Sequence, residues 1–315
     1  MHTINNPEFS FDILLDEEVL SFGNDKIDAL GNEKLISVAN DYEGGTWRFQ
    51  KFMDFIWDNV QETALTMRER LAYIGQPMSI IRCAANRLRL SSDDGKGSEI
   101  AEIFLYGMMR RYYGALPIVP KIFHKQNRND NAKGADSVHI LVLEDGRFEI
   151  WLGEAKFYKR INNSNIENII SSVEHSLSLD AIAKEKSIVL GLHDLEDCLQ
   201  SKYNRESQTI YSNICHLLQR EKSIDELMKV LHVPILLIDE CDITRTSNRY
   251  DEKYKNDLKE YHRKRAMKYF ARQIARLKNT VVLYSEIKFH LILFPVPDKA
   301  EIVNKYIEDI EHLRR

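Results

Sequence analysis

The chain has 315 residues, a formal charge of −4, 43% hydrophobic residues and 29% charged residues. That balance fits one large α/β unit or two smaller ones with ample core, and no apolar run approaches the ~20 residues that a bilayer-spanning helix needs. The charge gives no global nucleic-acid signature, so any basic surface must be local.

The first residues, MHTINNPEFSFDILLDEE, have acidic flanks and no signal-peptide pattern. Cys83, Cys198, Cys215 and Cys241 stand far apart with no Cys-x-x-Cys pair, as expected of reduced thiols in a cytoplasmic protein. Short strands are predicted near residues 9–15 and 35–39. Thr46 is the predicted N-cap of a helix running to about Tyr73, with Phe49, Phe52, Met53, Ile56, Val60, Ala64 and Leu71 near helical spacing. The aromatic run Trp47, Phe49, Phe52, Phe55 and Trp57 reads as packing rather than a base-stacking platform. Residues 78–90 fit either a helix or a strand, with Arg82, Arg87 and Arg89 on a solvated face. Residues 91–97 form a polar loop whose Gly-Lys-Gly-Ser lacks the GxxxxGK[ST] spacing of a phosphate loop.

Ser98 caps a predicted helix over 99–113, on which Ile100, Phe104, Met108 and Tyr112 fall on one line. Glu99 and Glu102 lie three residues apart and so share a flank. The helix dipole accounts for Glu99, in the first turn. Glu102 stands among Ile103, Phe104 and Leu105 and is the better candidate to enter a site. Residues 116–123 read as an extended edge segment, followed by a polar loop with Lys125, Arg128 and Lys133 that would lie near a phosphate backbone.

Residues 133–156, KGADSVHILVLEDGRFEIWLGEAK, predict a hairpin. With a three-residue loop and Gly146 in the left-handed region, Leu143 faces Arg147, Val142 faces Phe148, Ile140 faces Ile150 and Val138 faces Leu152. This register gathers those apolar residues on one face and places His139, Leu141, Arg147, Glu149 and Trp151 on the other. A two-residue loop would scatter both sets. One step further, Asp136 faces Glu154, and Lys156 follows on the same face.

The apolar face therefore runs into three charges. A Glu-x-Lys at a strand end is by itself a commonplace solvated pair. Two facing carboxylates at the edge of a core are different, because they must be paired, solvated in a cleft or bound to a cation. Hard oxygen ligands that leave room for water and phosphate suit magnesium, and a lysine beside them can orient a water. The chemistry suggested is metal-assisted hydrolysis of a phosphodiester.

Asn162 or Asn163 caps a predicted helix over 164–186, and a strand is predicted over 187–192. Residues 195–221 and 223–231 read as helical and 233–239 as a buried strand. Asp239-Glu240 imitates a Walker B pattern, but with no Walker A loop an ATPase reading is weak. His193, His216 and His232 have no zinc-ligand spacing. The helix predicted over 250–278 carries Arg263, Lys264, Arg265, Lys268, Arg272, Arg276 and Lys278, which form either a solvated face or a surface for DNA or a partner. One or two strands are expected over 280–296, then a last helix over 298–315.

The order helix, strand, strand, strand, helix, strand, with Asp136 before the second strand and Glu154-Ala155-Lys156 on the third, resembles the PD-(D/E)XK, restriction-endonuclease-like nucleases over residues 98–193. The resemblance implies an α/β fold with a mixed central sheet and an α-β-β-β-α-β core at 98–193, flanked by α/β extensions at 1–97 and 194–315. It implies that Asp136, Glu154 and Glu102 hold Mg2+, or Mn2+ in its place, with Glu99 in reserve, and that Lys156 serves the attacking water. Ala135 stands where the motif has proline. SEIAEIFLY, GADSVH and WLGEAKFY are more narrowly similar to the HamA-type nuclease subunit of the Hachiman antiphage defence system. That similarity implies DNA as substrate and a superfamily 2 helicase partner of the HamB type. The alternative is a non-catalytic regulatory or interaction subunit of a nucleic-acid-processing complex.

Overall fold

A computed structural model describes residues 9–22, 29–89, 98–119, 122, 135–190, 194–203, 207–219 and 221–315. The polar loop at 91–97, Lys125, Arg128, Lys133 and His193 lie outside the described residues.

The strands are β1 (Asp12–Glu18), β2 (Glu33–Ala39), β3 (Tyr42–Glu43), β4 (Thr46–Trp47), β5 (Leu116–Val119), β6 (Ser137–Val142), β7 (Phe148–Tyr158), β8 (Leu231–Glu240) and β9 (Lys288–Val296). Seven of them form one mixed sheet in the order β1-β2-β9-β8-β7-β6-β5. The four middle strands are mutually parallel, and both flanks are antiparallel. Parallel strands covered on both faces read as near-continuous apolar runs. LHVPILLIDE in β8 and KFHLILFPV in β9 have that character.

Helices α1 (Phe49–Ala64), α2 (Met67–Ala72), α3 (Pro77–Arg87) and α4 (Ser98–Arg111) precede the hairpin. After it come α5 (Asn163–Ser176), α6 (Leu179–Leu190), α7 (Asp194–Tyr203), α8 (Ser207–Leu218), α9 (Ile224–Met228), α10 (Asp242–Thr246), α11 (Glu252–Leu277) and α12 (Lys299–Arg314). One face of the sheet packs on α5, α6, α8 and α11 through residues such as Ile169, Ile182, Ile214 and Phe270. The other packs on α1, α4 and α12 through Phe52, Phe104, Met108 and Ile302. The predicted aromatic run belongs here: Phe52, Phe55 and Phe104 meet at centroid distances of 5.0–5.8 Å. No helix among the described residues is long and apolar enough to cross a membrane. Cys83, Cys215 and Cys241 are free thiols.

The expected α/β class with a mixed central sheet is what the chain adopts. Three expected elements are different. Of the strand expected over 187–192, residues 187–190 are the C-terminal turn of helix α6, and 191 and 192 lie outside the described residues. Ile182, Lys186 and Val189 recur at helical spacing and are buried together, and this period overrides the local β-rich run Ser-Ile-Val-Leu. The parallel strand beside β7 is instead β8, beyond residue 193.

The helix expected over 46–73 is divided. Thr46 and Trp47 form β4, α1 ends at Ala64, and Thr66 opens α2 with a reciprocal capping box. The Glu69 amide donates to Thr66 Oγ1 at 3.2 Å, and the Thr66 amide donates to Glu69 Oε2 at 2.9 Å. The helix expected over 164–186 likewise breaks after Ser176, where the Ser178 hydroxyl accepts from the Ala181 amide at 3.3 Å and starts α6.

Candidate active site

The hairpin of β6 and β7 has the expected register: Val142 pairs with Phe148, Ile140 with Ile150 and Val138 with Leu152. Gly146 adopts φ +80°, the left-handed region that glycine enters without a Cβ penalty, and the Leu143 amide donates to the Arg147 carbonyl at 2.8 Å. Beyond the last paired residues, Ser137 and Gly153, the Asp136 amide donates to the Gly153 carbonyl at 2.7 Å. The hairpin grip thus reaches one residue past the strand and fixes Asp136. Gly153 has its own reason: a Cβ there would lie 2.3 Å from Ser137 Oγ and 2.7 Å from Leu105 Cδ2, so α4 approaches β7 where no side chain stands.

Glu154 and Lys156 project from the β7 face that carries Ile150 and Leu152, towards α5. Lys156 Nζ donates to Asp136 Oδ2 at 3.1 Å, to Glu154 Oε2 at 3.2 Å and to the Ala155 carbonyl at 3.3 Å. The Ala155 amide also donates to Asp136 Oδ2, at 3.1 Å. The side chains grade from 4% exposed at Glu154 through 13% at Asp136 to 29% at Lys156. The ammonium therefore lies on the open side of a carboxylate pair embedded in the fold.

Electrostatics follow from that placement. Burial, reinforced by the Asp136 charge, pushes the Glu154 carboxyl up to about 7, against the pull of Lys156 and of a bond from Ser172. Burial alone would lower the lysine, but Asp136 and Glu154 outweigh it and hold Lys156 above its ordinary range. Chemically, two carboxylate oxygens and a backbone carbonyl surround one cationic nitrogen. These are hard oxygen donors, and the lysine ammonium is the cation they hold.

Two contributors were not evident from sequence. Ser172 of α5 donates to Glu154 Oε2 at 2.8 Å. Tyr269 of α11 is fully buried, and burial, with smaller contributions from Tyr284 and the Glu154 charge, holds its phenol well above the usual range. Ser172 lies on the helix that follows β7 and Tyr269 on one far along the chain, and only the packing of α5 and α11 on this face reveals them.

The structure thus unites Asp136, Glu154 and Lys156, but does not add Glu102 or Glu99 to that cluster. Glu102 is buried at 7% exposure on α4, the helix covering the opposite face, and its charge acts on Tyr306 of α12. Glu99 accepts the Arg89 amide through both carboxylate oxygens, at 3.0 and 2.9 Å. Among the described residues no three His, Cys, Asp or Glu side chains form a metal-holding group. His216 is exposed, and His232 Nδ1 lies 2.9 Å from His290 Nε2 in a buried stack with Trp151.

The basic face of α11 is largely tied down. Arg263 pairs with Glu17 at 2.7 Å, Lys264 with Glu260 at 2.6 Å, Arg272 with Glu167 at 3.1 Å and Arg276 with Glu174 at 2.5 Å. The Arg263, Arg272 and Arg276 pairs clamp α11 to β1 and α5, the Lys264 pair lies within α11, and Lys268 and Lys278 stay exposed.

No curated protein matches the chain. A family model described as HamA matches residues 13–310, from β1 through the last helix and across the whole candidate site. The chain belongs to the HamA family, and with it to the proteins associated with Hachiman defence.

Proposed function

We propose that the chain is a metal-dependent nuclease that hydrolyses phosphodiester bonds of DNA in the cytoplasm as a Hachiman effector, under the control of a helicase partner of the HamB type. The observation that carries this reading is the Lys156 ammonium held by Asp136, Glu154 and the Ala155 carbonyl at the mouth of the hairpin. Asp136 and Glu154 would hold Mg2+, or Mn2+ in its place. The bound ion would supply charge neutralisation on the phosphate and a more acidic water. Lys156, the most exposed of the trio, orients the attacking water and offsets charge that grows on the phosphate oxygens. Ser172 keeps the Glu154 carboxylate aimed at the cluster. Glu102, carried by α4 outside the cluster, would support the metal shell only indirectly, through the packing of α4 on β7 at Gly153, and Glu102→Gln tests that role by its effect on the magnesium concentration needed for half-maximal activity.

The test is cleavage of supercoiled and linear DNA by the purified chain, alone and with its helicase partner, in magnesium and in EDTA. Glu154→Ala and Lys156→Ala should each abolish magnesium-dependent cleavage while the far-UV spectrum stays unchanged. Wild-type cleavage by both variants would refute the assignment. A second reading, a non-catalytic interaction subunit, draws on the lack of a third acidic, His or Cys ligand among the described residues. It predicts no cleavage with or without the partner.

A further inference from the structure

A pocket of about 300 Å³ opens at the C-terminal end of the parallel strands, between the segment following β7 and the segment following β8. Arg160, Asp239, Arg245, Tyr261 and Arg265 are among its walls. Open α/β sheets bind ligands in the crevice outside the carboxyl ends of their strands. The pocket also continues the face that carries the candidate site. Glu154, Lys156 and Tyr158 alternate on that face of β7, Tyr158 is in register with Asp239 of β8, and Arg160 follows two residues later. From Lys156 to Arg160 the extended chain covers about 13 Å.

Three arginines and a tyrosine share the walls with Asp239, Glu240 and Asp242, and each of these carboxylates is engaged. Asp239, only 2% exposed, holds Arg265 from beneath at 2.9 Å. The Arg265 guanidinium lies over the Tyr261 ring, 4.7 Å from its centre, giving a stacked surface of the kind nucleobases pack on. Arg245 bonds to the exposed Asp242, while Glu240 is engaged by the Lys299 amide at 3.0 Å. Arg160 is exposed and makes no ion pair with the described residues. Burial lifts the Asp239 carboxyl to about 7 even beside Arg265.

We propose that this pocket is a phosphodiester subsite that holds a nucleotide of the nucleic-acid strand flanking the scissile phosphate, with Arg160, Arg245 and Arg265 on the phosphate oxygens and the Arg265–Tyr261 stack against the base. It rests on the nuclease reading above and extends it from bond cleavage to strand placement. It also gives a role to the Asp239-Glu240 pair that imitates a Walker B motif, as the anchor of a nucleic-acid contact rather than of a nucleotide hydrolase.

The experiment is anisotropy of a labelled single-stranded oligodeoxynucleotide with the full chain in EDTA, across a salt series, with unlabelled inorganic phosphate and ATP as competitors. Arg160→Glu and Arg245→Glu alter exposed side chains and should leave the fold intact. Together they should weaken binding by roughly tenfold or more and flatten the salt slope by about 1.4, about 0.7 for each phosphate contact removed from a single strand. Unchanged affinity in the double variant overturns the subsite. So does ATP binding that the oligonucleotide cannot displace, which would make the pocket a free-nucleotide site. Binding needs no cleavage, so the two readings fail separately. Arginine-dependent binding without magnesium-dependent cleavage supports the subsite and sinks the nuclease, whereas Lys156-dependent cleavage with arginine-independent binding does the reverse.

Discussion

The Ser172 hydroxyl donates to Glu154 Oε2 at 2.8 Å, joining helix α5 to the most deeply buried acid of the candidate site. The same oxygen accepts from Lys156, so the carboxylate is held from two directions. Ser172→Ala removes one of them. Leaving a buried acceptor short of a donor costs about 1–3 kcal/mol. The Glu154 carboxyl should then rise further above about 7, because one stabiliser of its charged form is gone. The pH midpoint of magnesium-dependent activity should move to higher pH, and Ser172→Thr should restore it.

Glu154 also makes stability depend on pH with a fixed sign. Its folded value, about 7, lies above the ordinary 4.5. Between those values the folded protein binds more protons than the unfolded chain, so its stability falls as pH rises through that window and levels off above it. In EDTA, the wild-type melting temperature should decline across this range relative to Glu154→Gln, which cannot titrate. Parallel curves for the two proteins would refute the buried, raised carboxyl.

Magnesium should reverse that decline. A ligand that binds only the folded state stabilises it by about 2.7 kcal/mol at one hundred times its dissociation constant. Addition of magnesium at pH 8 should raise the wild-type melting temperature. Asp136→Asn and Glu154→Gln should each remove most of the rise, and chelation should restore the starting value.

Gly153→Ala tests how closely α4 lies on the hairpin. The new methyl would meet Ser137 Oγ at 2.3 Å and Leu105 Cδ2 at 2.7 Å. Overpacking of this kind costs about 1–3 kcal/mol. Displacement of Ser137 would also disturb Asp136, the next residue, so activity should drop further than stability alone explains. Urea unfolding beside single-turnover cleavage separates the two effects.

What sequence conveyed depended on whether a local rule had a rival. Alternation of apolar residues on both sides of Glu144-Asp145-Gly146 admitted one sensible register, and the strand pairing follows it through Val138 and Leu152. Residues 187–190 obeyed two rules at once: their β-rich composition suggested a strand, whereas Ile182 and Val189 continued a helical period, and burial of that stripe decided the outcome. The break at Thr66 was written in the chain as Thr-x-x-Glu, but the apolar spacing across it concealed the signal. Ser172, Tyr269 and the Arg265–Asp239 pair left no local trace, since each joins separate elements that no spacing rule within a helix or strand connects.

The sheet order has one consequence for the birth of the molecule. The strand bearing Glu154 and Lys156 is completed on one side by its own hairpin, but on the other by residues 231–240, which in turn lean on 288–296 and, through them, on 33–39 near the other end of the chain. Pairing across such separations is slow and must await synthesis of the last strand. A half-made chain on the ribosome therefore carries all three charged groups yet has no floor beneath them. The candidate site is assembled only when translation is nearly over.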